Sequence, residues 1–157
     1  MNDKLRLGVI KSLYLANALR EYDGDAEQYE GAETKSPIPR TLIWAARTGL
    51  VLQLVCVFDE GLQEYLDKHY PSQRCDRLKN RIEFLKSRGL LRRPDRCENI
   101  NGLRNEIAHE PDRHATWNEW HQTFTTVGRE LEHLGVISAL EAPVTEPESG
   151  SEVADSD

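Results

Sequence analysis

The sequence predicts an all-α bundle of about five helices followed by an acidic tail, and three observations carry that prediction. Apolar residues recur at steps of three and four in separate stretches, prolines and glycines punctuate the gaps between them, and no hairpin-like alternation occurs. With 157 residues the chain has the size of one ordinary domain, divided as residues 1–138 for the bundle and 139–157 for the tail. Charged residues make up 30% and mean hydropathy is -0.64, a composition that gives a modest core under a heavily charged surface.

Between Lys4 and Tyr22, the residues Leu5, Val9, Leu13, Ala16 and Leu19 recur at helical spacing and predict a first amphipathic helix. Glu21 to Glu33 then holds six acids, no base and two glycines before Ser36-Pro37-Ile38-Pro39, so a loop is expected there. Its Asp23-Gly24-Asp25-Ala26-Glu27 opening imitates a calcium loop, but the sixth position is Gln28 where glycine is needed and the twelfth is Thr34 where glutamate is needed. Calcium is therefore excluded.

Pro39 suits the first turn of a second, long helix reaching about His69, where Pro71 forbids continuation. Leu50 to Phe58 is apolar around most of a helical circumference, as in a central helix covered on several sides. A buried strand competes for that run, but Leu62, Tyr65 and Leu66 continue it beyond Gly61 at helical steps. Ser72 is placed to cap a third helix with the stripe Cys75, Leu78, Ile82 and Leu85, ended by Gly89. A fourth begins between Asp95 and Asn99, passes Ile100, Leu103 and Ile107, and ends near His109 because Pro111 disfavours helical geometry at Glu110. Thr116-Trp117-Asn118-Glu119 is a capping-box pattern opening a fifth, whose seam is Trp117, Trp120, Phe124, Val127, Leu131 and Leu134. Beyond Ile137 the chain is rich in Glu, Pro, Ser, Gly and Asp, which predicts disorder.

Composition narrows the compartment and the partners. No secretory signal opens the chain and the longest apolar run is nine residues broken only by Gln53, Leu50 to Phe58, against about 20 for a bilayer span, so a cytoplasmic protein with no membrane partner is expected. Cys56, Cys75 and Cys97 are odd in number and widely spaced, which excludes a disulfide framework. Six of the 27 acids and none of the 20 bases fall in residues 138–157, so the net charge of -7 misstates the surface of the bundle. From Lys68 to Cys97 there are ten bases against Asp76, Glu83 and Asp95, with Arg74, Arg77, Arg81 and Arg88 at helical spacing. That segment, with Arg92 and Arg93, reads as a ridge for RNA phosphates, which the acidic tail could cover. An ordinary solvated helix face competes with that reading.

The fourth helix carries Leu103-Arg104-Asn105-Glu106-Ile107-Ala108-His109. At about 100° per residue, Leu103 and Ile107 share an inward face while Arg104, Asn105 and His109 flank an exposed strip. An arginine, an adjacent polar residue, three further positions and a histidine resemble the ribonuclease motif of the HEPN superfamily. The resemblance implies an all-α fold over roughly residues 4–137, a homodimer whose motif helices face each other, and a composite cleft of two arginines and two histidines. It assigns Arg104 and His109 as catalytic, with Asn105 in support, and implies a metal-independent endoribonuclease without cofactor, of toxin-antitoxin or antiphage-defence type. Some such proteins are silenced by an antitoxin nucleotidyltransferase that modifies a tyrosine two residues after the histidine; here that position is Pro111, which cannot be so modified. A non-catalytic HEPN-like module binding RNA or a partner protein is the alternative.

The chemistry suits the residue types. In metal-independent RNA cleavage a base takes the 2′-OH proton, the oxygen attacks phosphorus, and an acid protonates the departing 5′-oxygen. Imidazole serves both steps near neutral pH, and guanidinium grips phosphate oxygens as negative charge builds. One helix supplies one histidine, so a second must come from a symmetric copy. His114 can line the cleft, whereas His121 reads as an ordinary surface histidine. His109-Glu110-Pro111-Asp112-Arg113-His114 has one residue too many for a zinc-protease motif and contains a proline, so no metal is assigned. Trp117, Trp120 and Phe124 read as packing residues before base-stacking ones.

Overall fold

The computed structural model describes residues 1–28 and 39–140, with the backbone alone for residues 24–28. It contains five helices among the described residues and no strand: α1 Asp3–Gln28, α2 Arg40–His69, α3 Leu78–Ser87, α4 Pro94–His109 and α5 Trp117–His133. The tail expected over 139–157 falls, from residue 141 onward, outside the described residues, as does most of the loop expected before Pro39.

Helix α2 is the centre of the bundle. It packs against the other four helices, most extensively α1 and α5, and its Ile43, Val51, Leu54, Phe58, Leu62 and Leu66 are essentially without solvent exposure. From Val51 to Leu66 these side chains meet Leu5 and Val9 of α1, Ile82 and Leu85 of α3, Ile100 of α4, and Trp120, Val127 and Leu131 of α5 in one core cluster. The α2–α5 approach is close: a Cβ on Gly61 would lie 2.5 Å from Leu131 Cδ2.

The apolar character of α2 exceeds what the bundle covers. An 18-residue window of this helix reaches a mean hydropathy of 1.7 and is half buried inside the bundle, so by length and composition α2 could cross a bilayer, contrary to the expectation from its longest apolar run. Its outer side presents Leu42, Ala45, Gly49 and Cys56 to solvent, with Leu52 half-buried among them. These five positions alternate in steps of three and four, the spacing of a helix–helix seam.

Helix α4 starts at Pro94, one residue before the expected range, and two boundaries differ from the sequence expectation by more. Helix α1 continues to Gln28, through the first part of the acidic stretch expected as loop. Its Asp23 is an interior residue: the carboxylate lies 3.5 Å from Arg47 Nη1 and accepts a hydrogen bond from the Trp117 indole N–H, while Arg47 Nε donates to the Ala115 carbonyl. The Arg47 guanidinium also lies 5.2 Å from the centre of the Trp117 ring. With Arg47 of α2 as counter-charge and the Trp117 N–H of α5 as donor, Asp23 tolerates burial, and the helix carries it there.

Helix α3 starts at Leu78, six residues after the expected Ser72 cap. After Pro71 the chain turns, with Gln73 N–H donating to the Tyr70 carbonyl, and Cys75 enters the core from this irregular segment. Arg77, extended at φ -134°, precedes the first helical residue without a side-chain cap. The stop expected at Gly89 is there, and Gly135 supplies one at the end of α5 that the sequence reading did not include. Gly89 (φ +66°) and Gly135 (φ +72°) each close a Schellman ending, with Leu90 N–H to the Leu85 carbonyl and Val136 N–H to the Leu131 carbonyl, a left-handed step that glycine takes without Cβ strain. The capping box of α5 forms as predicted, Thr116 and Glu119 each accepting the other's backbone N–H.

Candidate active site

Helix α4 positions the motif. Pro94 occupies its first turn, where a missing N–H costs no hydrogen bond. Ahead of it the backbone N–H groups of Arg92 and Arg93 donate to Glu130 Oε2 and Oε1 at 3.0 and 2.8 Å. Glu130 is 1% exposed, so a buried carboxylate of α5 fixes the entrance of α4. The exit is set by Pro111, which holds Glu110 extended at φ -115°, ψ 102°. Both fully buried residues of α4, Cys97 and Ile100, lie in its first half. Burial, with the Glu130 carboxylate nearby, pushes the Cys97 thiol well above the usual range.

The second half carries Arg104, Asn105 and His109, all exposed, while Leu103 and Ile107 are half-buried against the core. Among the described residues the side chains of Arg104, Asn105 and His109 have no hydrogen-bond or ion-pair partner, so their donors are uncommitted. Glu106, inside the motif, is engaged: it meets Arg113 at 3.3 Å, and Arg113 also binds Glu119 of α5. Arg113 thereby ties the end of α4 to the start of α5. Its hydrogen bonds hold the Glu119 carboxyl below the ordinary range, against the opposing effect of burial.

Arg104 and Asn105 line a groove of about 360 Å³ whose walls include Arg77 and Lys79 at the start of α3, Asn101 of α4, and the acids Asp59 and Asp76. His109 stands at the end of α4, outside this lining. His114 is half-buried, its ring 6.1 Å from that of Trp44 on α2.

The arginines read as one ridge are divided among different settings. Arg77 shares the groove with Arg104, and Arg74 is exposed in the segment before it. Arg81 turns inward to Asp59 and to Gln63, 2.8 Å away. Arg88 lies over the rings of Tyr70 and Phe84, at 5.6 and 5.3 Å. Arg92 and Arg93 line a separate hollow between α4 and α5. Of the expected phosphate contacts, the fold brings Arg77 to the motif and leaves Arg88, Arg92 and Arg93 elsewhere.

Lys79, Asn101 and Asp59 are groove residues that the sequence reading did not single out. Asn101 was within reach, because it lies three and four residues before Arg104 and Asn105 on the same helix. Among the described residues no group of three His, Cys, Asp or Glu side chains is arranged to hold a metal ion, and all three cysteines are free. No family model, curated protein or solved structure matches this chain.

Proposed function

We propose that this protein is a HEPN-type, metal-independent endoribonuclease that works as a homodimer in the cytoplasm, in the role of a toxin or antiphage-defence effector held in check by an antitoxin partner. The observation that carries the proposal is the uncommitted, exposed set Arg104, Asn105 and His109 on the last turns of α4, beside a groove to which Arg77 and Lys79 add positive charge. RNA lies along that groove, with Arg104 on the scissile phosphate as charge grows on its non-bridging oxygens. His109 of one subunit removes the 2′-OH proton. His109 of the other gives a proton to the 5′-oxygen as the phosphorus–oxygen bond breaks, leaving a 2′,3′-cyclic phosphate and a 5′-hydroxyl.

The outer stripe of α2, Leu42, Ala45, Gly49, Leu52 and Cys56, supports a symmetric contact. It gives a second copy an apolar, knob-spaced surface, and it belongs to a helix that touches the motif region through Trp44 and His114.

The test is cleavage of RNA by purified protein with a chelator present. Wild type should cut and leave cyclic phosphate ends, and His109→Ala or Arg104→Ala should lose about 100-fold or more in rate. Equal cutting by His109→Ala, or cutting that the chelator abolishes, overturns the proposal. Binding without cutting by wild type assigns the chain to the non-catalytic alternative.

A further inference from the structure

The end of α4 opposite the motif carries a second concentration of positive charge. Arg92, Arg93 and Arg96 at the start of α4, and Arg129 and His121 from α5, line a hollow of about 200 Å³. Among the described residues Arg92, Arg96 and Arg129 have no acid partner for their guanidinium groups, and Arg93 has Asp95 at 3.8 Å across an exposed gap. The acid in the wall is Glu130, whose two oxygens are already taken by the Arg92 and Arg93 backbone N–H groups. Thr126, also in the wall, is 7% exposed, and its hydroxyl has no hydrogen-bond partner among the described residues. Arg92, Arg93 and Arg129 are exposed and Arg96 is half-buried, so water solvates them in the free protein, but four guanidinium groups beside the Thr126 hydroxyl on one hollow set up a positive potential that favours an anion there.

We infer that this hollow is a binding site for a terminal run of phosphates, as carried by a nucleoside triphosphate or by the 5′-triphosphate end of an RNA. Guanidinium forks match phosphate oxygens two at a time, and several of them suit a chain of phosphates better than a single carboxylate. The volume is below the roughly 300–1,000 Å³ of pockets that enclose a whole drug-sized ligand, so the phosphates enter and the nucleoside stays outside. The site is independent of the ribonuclease proposal: α4 rises about 1.5 Å per residue, and Arg96 lies 13 residues before His109.

The experiment is direct binding by titration calorimetry at low and moderate salt, with inorganic tripolyphosphate, ATP, a 5′-triphosphorylated short RNA and the same RNA with a 5′-hydroxyl. Tripolyphosphate should bind wild type and His109→Ala alike and raise their melting temperatures. It should bind the Arg96→Ala/Arg129→Ala variant at least tenfold more weakly, and Thr126→Val should bind more weakly while melting as wild type does without ligand. ATP binding as tightly as tripolyphosphate identifies the free nucleotide as a source; preference for triphosphorylated over 5′-hydroxyl RNA identifies the RNA end. No tripolyphosphate binding, or equal binding by wild type and the double arginine variant, overturns the assignment. So does equal affinity for the two RNAs together with no binding of ATP. Because binding is read without cleavage, an inactive protein that still binds leaves this site standing.

Discussion

Removing the Asp23 carboxylate should destabilise the bundle far more than removing the pair to which it belongs. Asp23 and Arg47 are each 8% exposed, and Asp23 neutralises Arg47 at 3.5 Å while accepting the Trp117 N–H. Asp23→Ala leaves a buried guanidinium without its nearest counter-charge, Glu119 being the weaker second one, which costs about 3–5 kcal/mol. For a domain of this size that corresponds to a fall of roughly 6–20 °C in melting temperature. The double variant Asp23→Leu/Arg47→Met removes both charges and fills the space. It leaves the Ala115 carbonyl and the Trp117 N–H without partners, a loss of about 1–3 kcal/mol, and so should be more stable than Asp23→Leu alone. Urea unfolding followed by circular dichroism measures all three variants. A single Asp23 variant within about 1 kcal/mol of wild type, or a double variant no more stable than the single, would refute the claim that this buried pair holds α1 to α2 and α5.

Glu130→Ala should lower stability by about 3–5 kcal/mol, since two charge-assisted hydrogen bonds to backbone N–H groups are lost together; a loss under 1 kcal/mol in urea unfolding would show that α4 does not depend on this carboxylate. Gly49 is exposed and a Cβ there meets no atom within 4 Å, so Gly49→Ala should add about 1 kcal/mol from helix propensity while weakening self-association in sedimentation if the α2 stripe is the seam. A destabilised Gly49→Ala monomer would contradict the open surface described. The depressed carboxyl of Glu119 sets a pH dependence: its folded value lies below its unfolded one, so its contribution is present above the ordinary glutamate range and is lost as acid drives pH through the folded value. Glu119→Gln should therefore flatten the acid side of a stability–pH curve, and an unchanged curve would remove the Arg113–Glu119 contact from the balance.

The five helices were legible because their signals are local: alternating three- and four-residue steps, the glycine after α3, prolines before α2 and after α4, and the Thr116–Glu119 box. Exposure of Arg104, Asn105 and His109 followed from helical angle alone. What was not legible depends on distant partners. Asp23 looked like a loop acid until Trp117, 94 residues away, came within hydrogen-bond reach. Arg81 looked like a surface cation, but Asp59, 22 residues earlier, draws it inward. Arg88 joined the ridge by periodicity, yet the rings of Tyr70 and Phe84 give it another seat. The late start of α3 escaped because Ser72 satisfies the rule for a cap, and only the core could decide that Cys75 enters from irregular chain.

Helix α4 has 16 residues and so is a rod about 24 Å long. It is gripped near Arg93 by Glu130 and seated on Cys97 and Ile100, whereas its far half has no fully buried side chain. That half is held instead by Leu103 and Ile107, half-buried against the core, and by the Glu106–Arg113–Glu119 bridge to α5. With that bridge cut, a tilt of a few degrees at the gripped end would become an ångström or more of travel at the tip where His109 stands, and in the proton relay proposed between two imidazoles that much travel would separate a reacting pair from an idle one.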